Sequence, residues 1–229
     1  MQSRHVADFN HDPWAAGYDV EVQNEQTPVR AGYSAVLDWA VSAAQITPTQ
    51  VVVDLGSGTG NTSARIGAAA RMICVDISAR MTAIAAAKLA HRPEVTFVQA
   101  DLLGFFATQP RFDALVSTYA VHHLTGAEKG DLLRLIAAGL RPGGRAVFGD
   151  LMVKNAAEQQ RLVALYQGLG DADTMEGLTE EFYWRIDLTL PQIAAAGLEL
   201  VEVRRFSELS WGIGVRRPAP AHALRPGGC

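Results

Sequence analysis

The chain of 229 residues is 48% hydrophobic, which suffices for one large core, and its length is typical of a single α/β domain. Its 20 lysines and arginines against 24 acids give a net charge of -4, which argues against nucleic acid and anionic membranes as partners. No apolar run reaches the roughly 18 residues of a membrane span, and the N-terminus has no signal-peptide core, so we expect a soluble, cytoplasmic protein.

From Val51 onward, short β-rich runs alternate with Ala- and Leu-rich helical runs. This alternation predicts a largely parallel sheet with helices on both faces. A capping box of Thr125 and Glu128 marks the start of one helix. The predicted strands are Val51 to Leu55, Met72 to Asp76, Val95 to Gln99, Phe112 to Ser117 and Arg145 to Leu151, and the predicted helices lie near Thr62 to Ala70, Ser78 to His91 and Gly126 to Leu140.

The last third of the chain predicts a helix from Lys154 to about Leu169, a polar stretch, a helix ending at Gly197 and two β-rich runs, 198–206 and 207–215. Strands joined so closely must pair antiparallel, because a parallel crossover needs about a dozen residues. We therefore expect a helical N-terminal segment at 1–50, a ligand-binding α/β domain at 51–215 and a disordered Pro- and Gly-rich tail at 216–229.

The two cysteines, Cys74 and Cys229, are too few for a disulfide framework and wrongly spaced for zinc. Cys74 falls inside a strand-like run and is expected in the core. The sequence predicts a reducing compartment and no metal site.

The stretch Val51 to Asn61, "VVVDLGSGTGN", places three glycines directly after a predicted strand. Ligands of open α/β sheets bind beyond the carboxyl ends of the strands, where the strand order reverses. Gly56, Gly58 and Gly60 would let the backbone turn tightly and approach a ligand without Cβ atoms in the way. This loop therefore predicts the binding site.

The spacing G-x-G-x-G differs from the G-x-G-x-x-G of dinucleotide-binding loops, and Asp54 precedes it. An acid beside the loop would repel a pyrophosphate, but it suits the ammonium and sulfonium groups of S-adenosylmethionine. Asp76 follows Asp54 by 22 residues, close to the roughly 20-residue offset at which a carboxylate meets ribose hydroxyls. A third acid, Asp101, ends the third strand.

Five motifs in order, "VVVDLGSGTG", "CVDIS", "QADLL", "FDALVSTYAVHHL" and "LRPGGRAVFGD", resemble the class I S-adenosylmethionine-dependent methyltransferases. The flanking motifs "WAAGYD", "STYAVHHLTGAEK" and "EEFYWRID" resemble a bacterial group of YrrT-like methyltransferases, whose substrate the resemblance does not supply. The resemblance implies a Rossmann-like, mostly parallel seven-stranded sheet with a C-terminal antiparallel hairpin.

The same resemblance implies a role for each matching residue. Asp54 and the glycines would surround the methionyl part of S-adenosylmethionine, and Asp76 would bind the ribose. The remaining implied contacts are Ile77, Met81, Asp101 and Leu102 around the adenine, Ser117 and Thr118 along the methionyl part, and Trp14 and Tyr18 folded over the cofactor. Plain hydrophobic anchoring of the N-terminal segment is an equal alternative for Trp14 and Tyr18.

The methyl acceptor is less well indicated. Ser117-Thr118-Tyr119-Ala120 lacks the prolines of the N-P-P-Y type motif, which disfavours nucleobase amines, and no acid ends the fourth strand to support a catechol-type metal site. We predict that Tyr18, His122 and Tyr183 converge on a small-molecule acceptor. Neighbouring residues of a helix or strand point different ways, so His122 is favoured over His123 for this site.

Whether His122 acts as a base stays open, because thiolate and amine acceptors need little acid-base help. Asp150 either faces the acceptor or caps the following segment. The segment Gly170 to Trp184 is either an active-site lid or a surface connection.

Methyl transfer from S-adenosylmethionine, leaving S-adenosylhomocysteine, is the main functional prediction. Two alternatives remain from sequence: a protein that binds S-adenosylmethionine without turnover, and, less favoured by the glycine spacing and Asp54, a nicotinamide-dependent oxidoreductase.

Overall fold

The computed structural model describes residues 12–219, and the expectations for residues 1–11 and for the tail from 220 onward, including Cys229, lie outside that range. Seven strands form one sheet in the order β3-β2-β1-β4-β5-β8-β7, and a two-residue strand, β6, pairs with β5 beside that path. The strands are β1 Val51–Leu55, β2 Arg71–Asp76, β3 Val95–Gln99, β4 Phe112–Thr118, β5 Leu140–Val153, β6 Trp184–Arg185, β7 Glu199–Arg205 and β8 Ser210–Arg216.

The α-helices of the described part are α1 Tyr18–Val22, α2 Tyr33–Ala44, α3 Ala79–Lys88, α4 Gly126–Gly139, α5 Ala156–Leu169, α6 Ala172–Glu180 and α7 Ile186–Ala195. The predicted capping box at the start of α4 is present in full, with Thr125 and Glu128 each bonding the other's backbone N–H. Within residues 12–219, every helix is too short or too polar to cross a bilayer.

The sheet confirms the predicted topology. β1 pairs in parallel with β2 and β4, whereas β8 pairs antiparallel with β5 and β7. The chain passes from β1 outward through β2 to β3 and then crosses to β4 on the other side of β1, so the strand order reverses between β1 and β4. The carboxyl ends of β1, β2 and β4 therefore meet at one edge, which is the position for a ligand.

The helix predicted near Thr62 to Ala70 is wrong. Only a 3-10 turn, Ser63–Arg65, forms there, and the chain is extended from Ile66. The Arg92 guanidinium donates to the carbonyls of Ser63, Ile66 and Gly67 at 3.2, 2.7 and 2.8 Å. These carbonyls would be the acceptors of a helix, so the distant arginine replaces the helical hydrogen bonds.

The polar stretch after α5 is a helix rather than an irregular connection. Asp171 caps α6 by accepting from the backbone N–H of Thr174 at 3.0 Å. Leu178 on α6 is fully buried in a cluster with Leu162 of α5 and Leu151 of β5. This packing holds the segment that follows α6 against the carboxyl edge of the sheet.

Candidate active site

The glycine loop leaves β1 with three left-handed backbone positions, at φ values of 75° for Gly56, 52° for Gly58 and 82° for Gly60. A Cβ atom on Gly56 would lie 2.4 Å from the Cβ of Ala120, and one on Gly60 would lie 3.2 Å from the Cβ of Ala85. A Cβ on Gly58 would meet no atom of the described residues within 4 Å. The outer two glycines thus allow close packing, while the middle one borders open space.

The loop is fixed from β2. The backbone N–H groups of Gly56 and Ser57 donate to the carbonyl of Val75, and the N–H of Gly58 donates to Oδ2 of Asp76 at 2.7 Å. Oδ1 of Asp76 accepts from the N–H of Ser78 at 2.8 Å. Asp76 therefore both ends β2 and sets the position of the glycine loop.

A cavity opens between this loop and the ends of β2, β3 and β4. Nine residues that the sequence analysis assigned to the cofactor lie on its wall, namely Thr118 and eight others. The wall combines two carboxylates with aliphatic side chains, the usual make-up of a site for an apolar ligand with a few polar groups. The eight are Tyr18, Gly56, Gly58, Asp76, Ile77, Met81, Asp101 and Leu102.

Four other assigned residues lie away from the wall of this cavity. Gly60 packs on α3, the hydroxyl of Ser117 donates to the carbonyl of Leu55 at 2.6 Å, and Trp14 is 58% exposed beside a second cleft. Asp54 is fully buried. Direct contact of these residues with a ligand stays a prediction.

Asp54 has a distinct electrostatic state. The hydroxyl of Ser63 donates to its Oδ2, whereas its Oδ1 is buried and has no hydrogen-bond partner among residues 12–219. Burial raises the pKa of this carboxyl to about 7, with a further contribution from the charge of Asp76. Ser63 also lies beside the buried Cys74, with Oγ 3.2 Å from Sγ, so both groups belong to the interior, as expected for Cys74.

Asp101 also lines the cavity. Its Oδ1 accepts from the N–H groups of Leu103 and Gly104 at 3.1 and 3.0 Å, at the start of the 3-10 turn Gly104–Thr108. These bonds fix the carboxylate at the cavity wall.

Helix α1 is tied to the glycine loop through Asp19. Its Oδ1 accepts from Thr59 Oγ1 at 2.5 Å and from Asn61 Nδ2 at 3.0 Å, and its Oδ2 accepts from Lys88 Nζ at 2.9 Å. Lys88 Nζ also donates to Asn61 Oδ1 at 2.6 Å. We call these four side chains the Asp19 cluster; the sequence analysis did not predict it.

A second, wider cleft of about 730 Å³ adjoins the cavity, and we call it the outer cleft. The two share Tyr18, Tyr119 and His123 in their walls. The outer cleft is formed by the N-terminal segment, the turn Val121–His123 after β4, and α6 with the chain that follows it. The other residues that line it are Trp14, Val29, Arg30, His122, Leu151, Asp173, Glu176, Gly177, Glu180, Glu181, Phe182 and Tyr183.

All three predicted acceptor residues, Tyr18, His122 and Tyr183, therefore face this cleft. The prediction that only one of the adjacent histidines would do so is wrong. His122 and His123 lie on a 3-10 turn with ring centroids 4.0 Å apart, and both line the outer cleft. The rule for a helix or strand does not apply to such a turn.

His122 is held by Asp150. Its Nδ1 lies 2.5 Å from Asp150 Oδ1, while Oδ2 accepts from the backbone N–H groups of Val121 and His122 at 2.9 and 3.0 Å and from Trp184 Nε1 at 3.1 Å. Both side chains are buried. Asp150 thus fixes the turn that carries His122, and does not cap the segment after β5.

The electrostatics of this pair favour its charged form. Burial would lower the pKa of His122, but the charge and hydrogen bond of Asp150 outweigh burial and raise it above the ordinary value. Burial would likewise raise the pKa of Asp150, but the bonds from His122 and from the N–H of Leu151 hold it below the ordinary value. Asp150 is therefore ionised and accepts a hydrogen bond from the Nδ1–H group of His122. Nε2 of His122 is then the nitrogen on the cleft side.

Arg30 is a cleft residue without a local sequence signal. Its guanidinium carbon lies 5.8 Å from the ring centroids of both Tyr18 and Tyr119, and its Nη2 donates to Glu21 Oε1 at 3.3 Å. Burial raises the pKa of both tyrosines. Neutral aromatic rings and one cation thus form this wall.

Tyr183 also lines the outer cleft. Within the described part of the chain its buried hydroxyl has no hydrogen-bond partner, and burial raises its pKa. Glu181, two residues earlier, places Oε2 3.9 Å from Nε2 of His122.

A parallel sheet with a reversed last hairpin, a glycine loop after β1 and an acid ending β2 together define the class I methyltransferase fold. Residues 52–144 match the family model described as a methyltransferase domain. The chain belongs to the class I S-adenosylmethionine-dependent methyltransferases.

Relatives and solved structures support this assignment. An uncharacterized methyltransferase of Anoxybacillus flavithermus is 33% identical over 177 residues, which cover 76% of this chain and 80% of the relative. The uncharacterized methyltransferase YrrT of Halobacillus halophilus is 28% identical over 89% of this chain and 94% of its own. The DhpI complex with S-adenosylhomocysteine has the same fold, with a TM-score of 0.65 at 18% identity, covering 92% of this chain and 94% of DhpI.

The chain is therefore a methyltransferase enzyme that uses S-adenosylmethionine, and the oxidoreductase and non-catalytic alternatives are set aside. The cavity fits this cofactor, because the space that a Cβ on Gly58 would fill lies open and the half-buried carboxylate of Asp76 borders it. Asp76 would bind the ribose hydroxyls, and Ile77, Met81 and Leu102 would enclose the adenine.

Proposed function

We propose that this methyltransferase acts on a small-molecule acceptor in the outer cleft. The observation that carries the proposal is the common wall of the two cavities, formed by Tyr18, Tyr119 and His123. A cofactor in the inner cavity and an acceptor in the outer cleft would meet at this wall. The net charge of -4 supports a small molecule over a nucleic acid.

When bound, S-adenosylmethionine supplies a methyl group on a sulfonium, which is already a good leaving group. The protein must then align the acceptor in line with this group and exclude water. We assign alignment and exclusion of water to Tyr18, His122 and Tyr183. His122 suits this task because Asp150 and the backbone amides around it fix the imidazole.

The test is transfer of labelled methyl from S-adenosylmethionine to panels of small thiols, amines, hydroxy compounds and carboxylic acids. Total tRNA and total protein serve as macromolecular acceptors. We expect label in one class of small molecule. The matched control is Gly58→Val, because its side chain fills the cofactor space; label that persists with this variant does not come from this site. Transfer to RNA or protein alone would contradict the proposal.

A further inference from the structure

Three potential metal ligands meet in the outer cleft. His122 and His123 come from the turn after β4, and Glu181 comes from the chain after α6. Their ligand atoms all lie within 4.8 Å of one another, and Nε2 of His122 is 3.9 Å from Oε2 of Glu181. Imidazole nitrogens and a carboxylate are the ligands that zinc prefers alongside thiolate.

The surroundings of His122 match those of a metal-binding histidine. Such a histidine usually donates its second ring N–H to a carboxylate, which fixes the ring and raises the basicity of the ligating nitrogen. Here Asp150 lies 2.5 Å from Nδ1 and is itself held by Trp184 Nε1 at 3.1 Å. The carboxylate leaves Nε2 as the nitrogen that faces Glu181.

We propose that His122 Nε2, His123 and Glu181 form a binding site for a divalent transition metal ion of the zinc type. The metal ion would displace the proton from Nε2 of His122, and two neutral imidazoles with one carboxylate then carry a single negative charge, which suits a divalent cation that also binds a further ligand. Three protein ligands leave one coordination position of a tetrahedral ion for that ligand, as in catalytic zinc sites.

The distances are close to what coordination needs. Zinc bonds of roughly 2.0–2.2 Å place tetrahedral ligand atoms about 3.3 Å apart, so the group must contract by about 1.5 Å at most. His122 is buried and fixed, while His123 and Glu181 are partly exposed. Small side-chain movements of the latter two would close the site.

A simple ion pair between His122 and Glu181 is the competing interpretation, and it predicts that removal of His123 leaves metal affinity unchanged. The role that we assign to this metal ion rests on the proposed function, in which the outer cleft holds the acceptor. Because it faces the proposed acceptor, it would lower the pKa of a bound hydroxyl or thiol and so favour its methylation.

Metal binding is tested on untagged, chelator-treated protein titrated with Zn²⁺ by calorimetry and with Co²⁺ by visible absorption, without cofactor or acceptor. We expect a single saturable site and a Co²⁺ band of low-coordinate type. His123→Ala and Glu181→Gln should each weaken binding by about 10-fold or more, and Asp150→Asn by about 10–100-fold. Glu180→Gln, an exposed neighbour in the same cleft, and His91→Ala, exposed outside both cavities, are the matched controls.

Absence of saturable binding to the wild type, or equal affinity for the wild type, His123→Ala and Glu181→Gln, would overturn the site. Thermal melts identify a variant that fails to fold. If Asp150→Asn fails to fold, the variants at the partly exposed His123 and Glu181 still test the site. Since the titration needs no methyl transfer, failure of the metal site is distinguishable from failure of the proposed acceptor class.

Discussion

The backbone N–H of Gly58 donates to Oδ2 of Asp76 at 2.7 Å, so the middle glycine of the loop and the acid that ends β2 form one unit. The same carboxylate borders the cavity. Loss of Asp76 would therefore remove both the proposed acceptor for the ribose hydroxyls and a support of the glycine loop.

We expect Asp76→Ala to weaken S-adenosylhomocysteine binding by about 1–3 kcal/mol, because ribose hydroxyls lose a charged acceptor. Calorimetric titration measures the change, and circular dichroism should show an intact fold. Asp131→Ala, a change of the same type on the surface of α4, is the control. Unchanged affinity in Asp76→Ala would refute the ribose assignment.

Gly58→Ala should mainly weaken binding of S-adenosylhomocysteine, whereas Gly60→Ala should mainly lower stability. Both add a side chain at positive φ, a strain of about 1–2 kcal/mol. At Gly58 the new methyl group enters the cavity, so affinity for S-adenosylhomocysteine should fall more than stability. At Gly60 it lies 3.2 Å from Ala85 Cβ, so stability should fall more than affinity. Denaturant titrations and calorimetry on both variants compare the two effects; the reverse pattern would contradict the placement of the loop.

Asp54 should make stability depend on pH. Its pKa rises from 3.8 to about 7 on folding, so between these values the folded state binds more protons than the unfolded state. The free energy of unfolding therefore falls as pH rises through this range, by about 1.4 kcal/mol per unit of pKa difference.

Asp54→Asn removes this titration. The free energy of unfolding of Asp54→Asn minus that of the wild type should increase from pH 4 to about pH 7 and then level off. Urea unfolding at a series of pH values measures this difference. Ser63→Ala is the companion variant: it removes a hydrogen bond that lowers the pKa of Asp54, so the pH dependence should extend higher. Parallel curves for wild type and Asp54→Asn would show that the carboxyl keeps its ordinary pKa.

Tyr183→Phe should separate stability from turnover. The buried hydroxyl bonds to none of residues 12–219, so its removal costs no described hydrogen bond and relieves desolvation. We expect a melting temperature equal to or above that of the wild type, and slower methyl transfer. A marked loss of stability would mean that the hydroxyl has a partner in solution.

Tyr18→Phe, His122→Ala and Tyr183→Phe should lower the single-turnover rate much more than S-adenosylhomocysteine affinity, because these residues act on the acceptor. The assay needs the acceptor identified by the methyl-transfer panel. Tyr166→Phe, in which a buried tyrosine bonded to Glu208 lies away from both cavities, is the control. Wild-type rates in all three variants would place the acceptor elsewhere.

Features that depend on local sequence were predictable. Three glycines after a strand, the capping box before α4 and two closely joined final strands each have a physical cause within a few residues. These features predicted the largely parallel sheet, its antiparallel final pair of strands and a binding site at the glycine loop, whereas the wall residues beyond that loop, such as Ile77 and Met81, were implied by the resemblance to class I methyltransferases.

Features that depend on contacts between residues far apart in the sequence were not predictable. Arg92 donates hydrogen bonds to the carbonyls after the glycine loop, so the expected helix does not form there. No residue near the loop in the sequence indicates these bonds. Glu181 meets His122 only because α6 packs on α5, and Arg30 reaches the cleft only through the fold of the N-terminal segment. Such contacts bring together residues far apart in the chain, for which periodicity and spacing carry no signal.

We expect the Asp19 cluster to couple binding of the cofactor to binding of the proposed acceptor. Helix α1 has only five residues, too few to be stable alone, so its order depends on the contacts of Asp19 and Tyr18 with the rest of the protein. Tyr18 borders both cavities, and Asp19 holds the glycine loop. A ligand that orders α1 from one side therefore favours binding on the other, and this coupling is reciprocal. Excess acceptor should then retain the spent cofactor, so that the enzyme is inhibited by its own substrate.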